Sequence, residues 1–253
     1  MVLTAKQFAD LMPSASELES DEPEMKSSEH YTQLALLVSC LEFLWGDRQD
    51  FFIGANLTIF FSLQQMKHRD FRGPDFFLVK NTEKRPRKSW VVWEENGQYP
   101  DLIIELLSDS TANVDRTTKK ELYQNRFRTL EYFWFSPLTF ELAGFRLQDG
   151  EYQPIIPNEN GLYWSESLGL FLGIYEEQLR YFTIEIRLVP TPSESDLEEK
   201  EKALEAKQEA SEAKQEAFEA KQEAFEAEEK ALKEKQRADK LEAKLRELKI
   251  EID

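Results

Sequence analysis

The amino-acid sequence predicts an α/β (α+β) domain, a mixed sheet flanked by helices, with a long charged helix appended to it. Three observations carry the prediction. Between positions 51 and 107 short apolar runs rich in Phe, Val and Ile alternate with turn residues, the pattern of strands. The last of these runs, 101–107, is almost continuously apolar, as expected of a central strand covered on both faces. Beyond Ser193 the aromatic residues nearly vanish and Ala, Glu, Lys and Gln take over, so that stretch cannot bury a core of its own.

The elements follow in order. Residues 4–12 predict a short helix stopped near Pro13, and the acidic, polar stretch 14–28 a surface loop. From Glu29 to Trp45, Leu34, Leu37, Val38, Leu41 and Leu44 recur at spacings of three and four, the period of a core-facing helix; Gly46 is its natural stop. Strands are expected at 51–55, 57–63, 75–80, 90–94 and 101–107. Ser108–Asp115 then offers several N-cap residues for a helix running to about Phe127. Further strands are expected near 131–135, 140–147, 151–156 and 181–188, with turns at Asp149-Gly150 and Asn160-Gly161. A helix, paired strands and a second helix after the central strand make a layered sandwich.

After Pro190-Thr-Pro192 the chain repeats itself: EASEAKQ at 209–215, EAFEAKQ at 216–222, EAFEAEE at 223–229. Ala203, Ala210, Ala217, Ala224, Ala231, Ala238 and Leu245 form one seven-residue seam, and Ala206, Ala213, Ala220, Ala227, Leu241 and Leu248 most of a second. Such a repeat is the signal of a coiled coil. Alanine seams bury little area, although Leu204, Phe218, Phe225 and Leu232 add a flanking row. A lone helix held by Glu–Lys pairs four residues apart is the other reading. The expected organisation is a folded domain over 1–190, a linker over 191–198 and a coiled-coil helix over 199–253.

The formal charge of −17 over 253 residues speaks against a general nucleic-acid binder, because phosphate is held by Lys and Arg. Much of the acid excess lies in the tail, whose charge is screened within about 10 Å. The single cysteine, Cys40, sits in an apolar helical run and reads as a buried structural thiol in a reducing compartment. No basic segment leads into a long apolar one, and no run reaches the length of a membrane span. A cytoplasmic protein with no membrane partner is expected.

Two acids stand out. Pro74-Asp75 opens an apolar strand, and Glu105 interrupts the run LIIELL. A carboxylate inside a buried strand must be neutralised, paired or bound to metal. Two carboxylates on neighbouring strands can hold a hard divalent ion through oxygen, and such an ion activates water and stabilises charge on a phosphate under attack.

The stretches GPDFFLV, YPDLIIELLSDSTANVDRTTKKELY and EYFWFSP, in that order and spacing, resemble the PD-(D/E)xK superfamily with its restriction-endonuclease-like fold, most closely its Uma-two family. The resemblance covers about residues 1–190. It implies Asp75 and Glu105 as ligands of Mg2+ (or Mn2+), with the Leu106 carbonyl available beside them. Where the superfamily places lysine, two residues after the acid, this chain has Leu107; the resemblance implies that Lys119, on the following helix, takes its role near the developing charge. Lys120 is about 100° away around a helix, so one of the two faces the site. Glu42, an acid on the first long helix, is a possible accessory ligand by the same resemblance, and His30 opens that helix.

Asp101 shares a strand face with Glu105, since strand side chains repeat every two residues; it either assists the site or caps the strand. Arg69, Arg72, Lys84, Arg85, Arg87 and Lys88 flank Asp75 in sequence and form a candidate phosphate-binding surface, with a solvated loop as the alternative. The expected activity is metal-dependent hydrolysis of DNA (RNA or a nucleotide being the further option) by a homodimer to which the coil contributes. The rival is an inactive scaffold, in which Glu105 and Lys119 are merely ion-paired and the coil does the work.

Overall fold

The computed structural model describes residues 12–22, 25, 27–62, 65, 73–108 and 111–247. The helix expected over 4–12 falls on 4–11, outside the described residues. Two compact units divide at Pro192 and Ser193.

In the first unit, α1 (Ser28–Leu44) begins at Ser27, whose extended backbone and side-chain oxygen cap the His30 N–H. Capping of this kind satisfies one of the donors left over at a helix start. The helix ends where the Trp45 N–H turns back to the Leu41 carbonyl. Its inner face buries Leu34, Leu37, Cys40 and Leu41.

A six-stranded sheet has the order β1-β3-β5-β6-β7-β8, formed by β1 (Phe51–Ala55), β3 (Phe76–Lys80), β5 (Leu102–Leu106), β6 (Glu131–Phe135), β7 (Leu142–Gln148) and β8 (Glu151–Pro154). β3 and β5 are antiparallel, whereas β5 and β6 are parallel. The parallel pair needs a crossover, and α2, over 112–127, supplies it. Every residue of β5 is buried. Leu102, Ile104 and Leu106 face the core that includes α1; Ile103 and Leu107 face a second core that includes Tyr123 and Phe127 of α2.

Two strands expected to be long are brief. β2 (Ile59–Phe60) and β4 (Trp90–Val91) pair as a small parallel ribbon, and the chain turns at once after Val91, with Glu94 and Glu95 both bonding back to its carbonyl. The strand expected at 181–188 is instead β11 (Gln178–Phe182), and a three-stranded sheet β11-β10-β9 includes β9 (Tyr163–Ser165) and β10 (Leu170–Tyr175), which the sequence reading did not contain. β10 and β11 are joined by Glu176 and Glu177, both at positive φ. That turn usually takes Asn-Gly or Asp-Gly, so the glutamates conceal the hairpin. The β7–β8 turn does use Asp149-Gly150. Gln33 docks α1 onto β11, its side-chain amide exchanging two 2.9 Å hydrogen bonds with the Leu179 backbone.

α3 (Pro192–Glu247) is a single helix. The stretch 191–198, expected as a linker, is therefore helical from Pro192 onward. Proline suits a first helical turn, where its missing N–H would have no partner anyway. Among the described residues no helix is long and apolar enough to cross a membrane.

Candidate active site

β3 and β5 run antiparallel with Phe76 opposite Ile104, so one step further along the register Asp75 lies opposite Glu105. Odd-numbered side chains of both strands face the core shared with α2. Asp75 is fixed by its Oδ2, which accepts the Leu106 N–H at 2.8 Å.

Glu105 is fully buried. Both of its oxygens lie 3.0 Å from Lys119 Nζ, and the Tyr123 hydroxyl donates to Oε1 at 2.7 Å. The same ammonium lies 3.1 Å from Oδ1 of Asp115, whose side chain is 2 % exposed. Tyr132 donates to the Asp115 carbonyl at 2.8 Å.

Asp115, Lys119 and Tyr123 stand four residues apart. In an α-helix each such step drifts by roughly 40° around the axis. Here two π turns, Asp115–Lys119 and Tyr123–Phe127, flank one α turn, Lys120–Leu122. Residues four apart share a helix face, and the three polar side chains stand in one row, Lys119 and Tyr123 on Glu105 and Asp115 on Lys119.

Three carboxyls surround one ammonium. Burial, the largest influence, pushes Glu105 well above the usual carboxylate range, and the neighbouring Asp75 and Asp115 add to the push against Lys119. Burial raises Asp75 likewise. For Lys119 burial favours the neutral amine, but Glu105, Asp115 and Asp75 together outweigh it and hold the amine protonated. Burial and the Glu105 charge keep the Tyr123 hydroxyl protonated. The Asp75–Glu105 pair therefore retains a proton more tightly than free carboxyls do.

The model of the Uma2 family, described as "Putative restriction endonuclease", matches residues 15–175. The chain belongs to the Uma2 family. The structure is also similar to that of a "putative nuclease belonging to DUF820" from Anabaena variabilis, at 18% sequence identity and a TM-score of 0.41, covering 66% of this chain and 91% of that one. No curated protein matches. Family membership makes the chain nuclease-like.

Other candidate residues of this Uma2 protein lie elsewhere. Asp101 stands at the opposite end of β5 from Glu105, about 13 Å away by strand rise, and its Oδ2 takes the Lys80 N–H at 2.7 Å; it caps the β3–β5 end. Glu42 forms an ion pair with Lys84. The Lys84 N–H bonds the Gln49 carbonyl, just before β1 and at the end of the sheet away from Asp75. Lys120 turns from the carboxylates, its Nζ 3.4 Å from the Phe145 ring centroid.

The basic residues have partners of their own. Arg69 and Arg72 lie outside the described residues. Each of the other four is paired: Lys84 with Glu42, Arg85 and Arg87 with Glu95, and Lys88 with Glu19. Arg87 is in addition packed over Phe52 and Trp90. Each of these four cations thus has an acidic partner, shared in the case of Glu95.

Sequence reasoning missed Tyr123 and gave Asp115 only a turn-forming part. It also missed where His30 points. The His30 Nε2 lies 3.0 Å from the Leu106 carbonyl, and Nδ1 3.1 Å from Ser27 Oγ. A carbonyl only accepts, so Nε2 carries the proton. Beside it opens a cleft of about 480 Å³ lined by Ser27, His30, Ser108, Arg116, Leu138 and Glu141 among others. Arg116 and Glu141, ion-paired with each other, are both among its lining residues. Among the described residues no group of three or more His, Cys, Asp or Glu forms a cage for a metal.

Proposed function

We propose that this Uma2 protein is a metal-dependent endonuclease hydrolysing phosphodiester bonds of DNA, at a centre made by Asp75, Glu105 and Lys119. One observation carries the reading. Two acids face each other across adjacent buried strands, with a lysine on one of them, in a core that is otherwise largely apolar. Burial of that much unbalanced charge is costly for stability alone.

The donor set suits Mg2+ or Mn2+. Both are hard cations, and Mg2+ in particular is held through one or two carboxylates while keeping several waters. Asp75 and Glu105 would hold the ion, and the Leu106 carbonyl, on which His30 Nε2 rests at 3.0 Å, is the further oxygen that the resemblance offers. When bound, the ion supplies an activated water and a charge opposite the scissile phosphate. Lys119 then carries positive charge towards the oxygens on which negative charge develops. A substrate seated in the cleft beside His30 would lie against Leu107 and Ser108, just past the end of β5.

A second reading has an observation of its own. Lys119 takes both oxygens of Glu105, which fits an ion-paired core that has lost catalysis and serves as a scaffold. Supercoiled-plasmid nicking separates the two. Single-strand breaks that need Mg2+ or Mn2+ and stop on chelation are the expected result; well-folded protein with no nicking in either metal would favour the scaffold.

The full chain is expected to be a cytoplasmic homodimer joined through α3. Leu197, Leu204, Phe218, Phe225 and Leu232 recur at multiples of seven and are all exposed on this helix, an apolar seam that a second copy would cover. Sedimentation should give the mass of two chains, and Phe218→Glu with Phe225→Glu the mass of one. A wild-type monomer at micromolar concentration would rule the seam out.

A further inference from the structure

We propose that Lys119 is a resident counter-ion on the metal position, and that Asp115 is the residue that receives its ammonium when a divalent ion binds Glu105. The inference rests on the nuclease reading for the identity of the ion, but its test reads metal binding and not cleavage.

A carboxylate offers about four lone-pair directions. Lys119 Nζ stands at 3.0 Å from both oxygens, and the Tyr123 hydroxyl takes a further position on Oε1. Asp75 lies opposite Glu105 in the β3–β5 register. An ammonium equidistant from the two oxygens sits on the side from which a cation would engage them both. Two cations on one buried carboxylate repel strongly, because the interior screens charge poorly. Metal binding and the Lys119–Glu105 contact therefore compete.

The displaced ammonium needs another anion, since a buried charge without a partner is costly. Asp115 is placed for this. Its side chain is almost wholly buried, and Oδ1 is 3.1 Å from the same Nζ. No hydrogen bond is directed at that oxygen, although the ion-pair distance is short; ammonium protons rotate freely, so the distance is the better guide to what Lys119 can reach. A small swing of the lysine from Glu105 to Asp115 empties the carboxylate and leaves the ammonium in the site, beside the reacting phosphate. The π turn Asp115–Lys119 sets acid and base on one face for that exchange. Asp115 is in this sense a positioning residue.

The test is isothermal titration of Mn2+ into the full-length wild type, Lys119→Met, Asp115→Asn and the double variant, with thermal unfolding in chelator to verify folding. Lys119→Met should bind Mn2+ on the order of tenfold tighter, the competing charge being gone. Asp115→Asn should bind several-fold more weakly, and that loss should shrink in the Lys119→Met background, the mark of two residues acting through each other. Lys119→Gln, which keeps a donor for Glu105 without the charge, serves if the methionine variant fails to fold, with the same expectation. Unchanged or weaker binding in the lysine variants would overturn the proposal. So would an Asp115→Asn loss undiminished in the double variant, which would make Asp115 a ligand. A wild type that binds no Mn2+ beside a Lys119→Met that does would support the proposal while counting against the nuclease reading.

Discussion

Glu105→Gln is expected to abolish Mn2+ binding and to lower plasmid nicking on the order of a thousandfold, a barrier increase of about 4 kcal/mol, in a chain that remains folded. The amide keeps the shape of the side chain, and its carbonyl oxygen still accepts from Tyr123, which now donates to Oε1 at 2.7 Å. What disappears is the anionic ligand. Folding should not suffer, because the charge removed is one of three acids around a single ammonium. The sign follows from linkage. A Glu105 pKa raised in the folded state means that the native chain holds this proton more tightly than the unfolded chain. Its contribution to stability is full below the ordinary glutamate range and is lost as pH rises through the shifted range. Melting of the metal-free protein as a function of pH should therefore fall less steeply for Glu105→Gln than for wild type over that interval. Nicking by Glu105→Gln at wild-type rates would end the assignment of Glu105 to the metal.

The acids at the centre were legible because each breaks a strand pattern: Asp75 at the head of FFLVK, Glu105 within LIIELL. That they share a face follows only from the register of β3 with β5, which places them opposite one another. Asp115 and Tyr123 were not legible. Their four-residue spacing from Lys119 does put all three on one helix face, but several polar residues of this helix share faces in that way, and the sequence carries no signal that it opens into π turns. The ion pairs of the basic residues were not legible for a different reason. Their count is visible in the sequence, but their pairing depends on Glu19, Glu42 and Glu95, and for Lys84 and Lys88 those partners are 42 and 69 positions away. The β10–β11 hairpin was hidden by two glutamates at positive φ, where turn chemistry leads one to look for glycine. Local pattern was enough for the elements it governs; partners distant in the chain decided the rest.

Glu131→Ala is expected to cost about 3–5 kcal/mol of stability, lowering the melting temperature by roughly 10 °C for a domain of this size. Glu131 heads β6 and is buried. Its Oε1 takes Arg146 Nη2 at 2.9 Å and the Glu166 N–H at 2.9 Å, while Oε2 takes the Ser167 N–H at 3.0 Å and the Ser165 hydroxyl. Arg146 in turn reaches the Trp164 carbonyl at 3.0 Å. One carboxylate thus ties the six-stranded sheet to the β9–β10 turn of the other sheet. Alanine would leave the guanidinium without its buried anion and two backbone N–H groups without acceptors, each of which is expensive. Glu131→Gln, which keeps an acceptor but not the charge, should fall between the two. Thermal unfolding followed by circular dichroism measures the series, and an alanine variant melting within about 2 °C of wild type would contradict it. Mn2+ binding at low temperature should survive, because Glu131 pairs with Leu102 in the register and Glu105 with Trp134, three residues along. The sheet's two buried glutamates are thus built for opposite ends. Glu131 has a donor for every direction, an arrangement that holds structure together. Glu105 shares one ammonium with two other acids, a surplus of negative charge that a divalent cation would relieve.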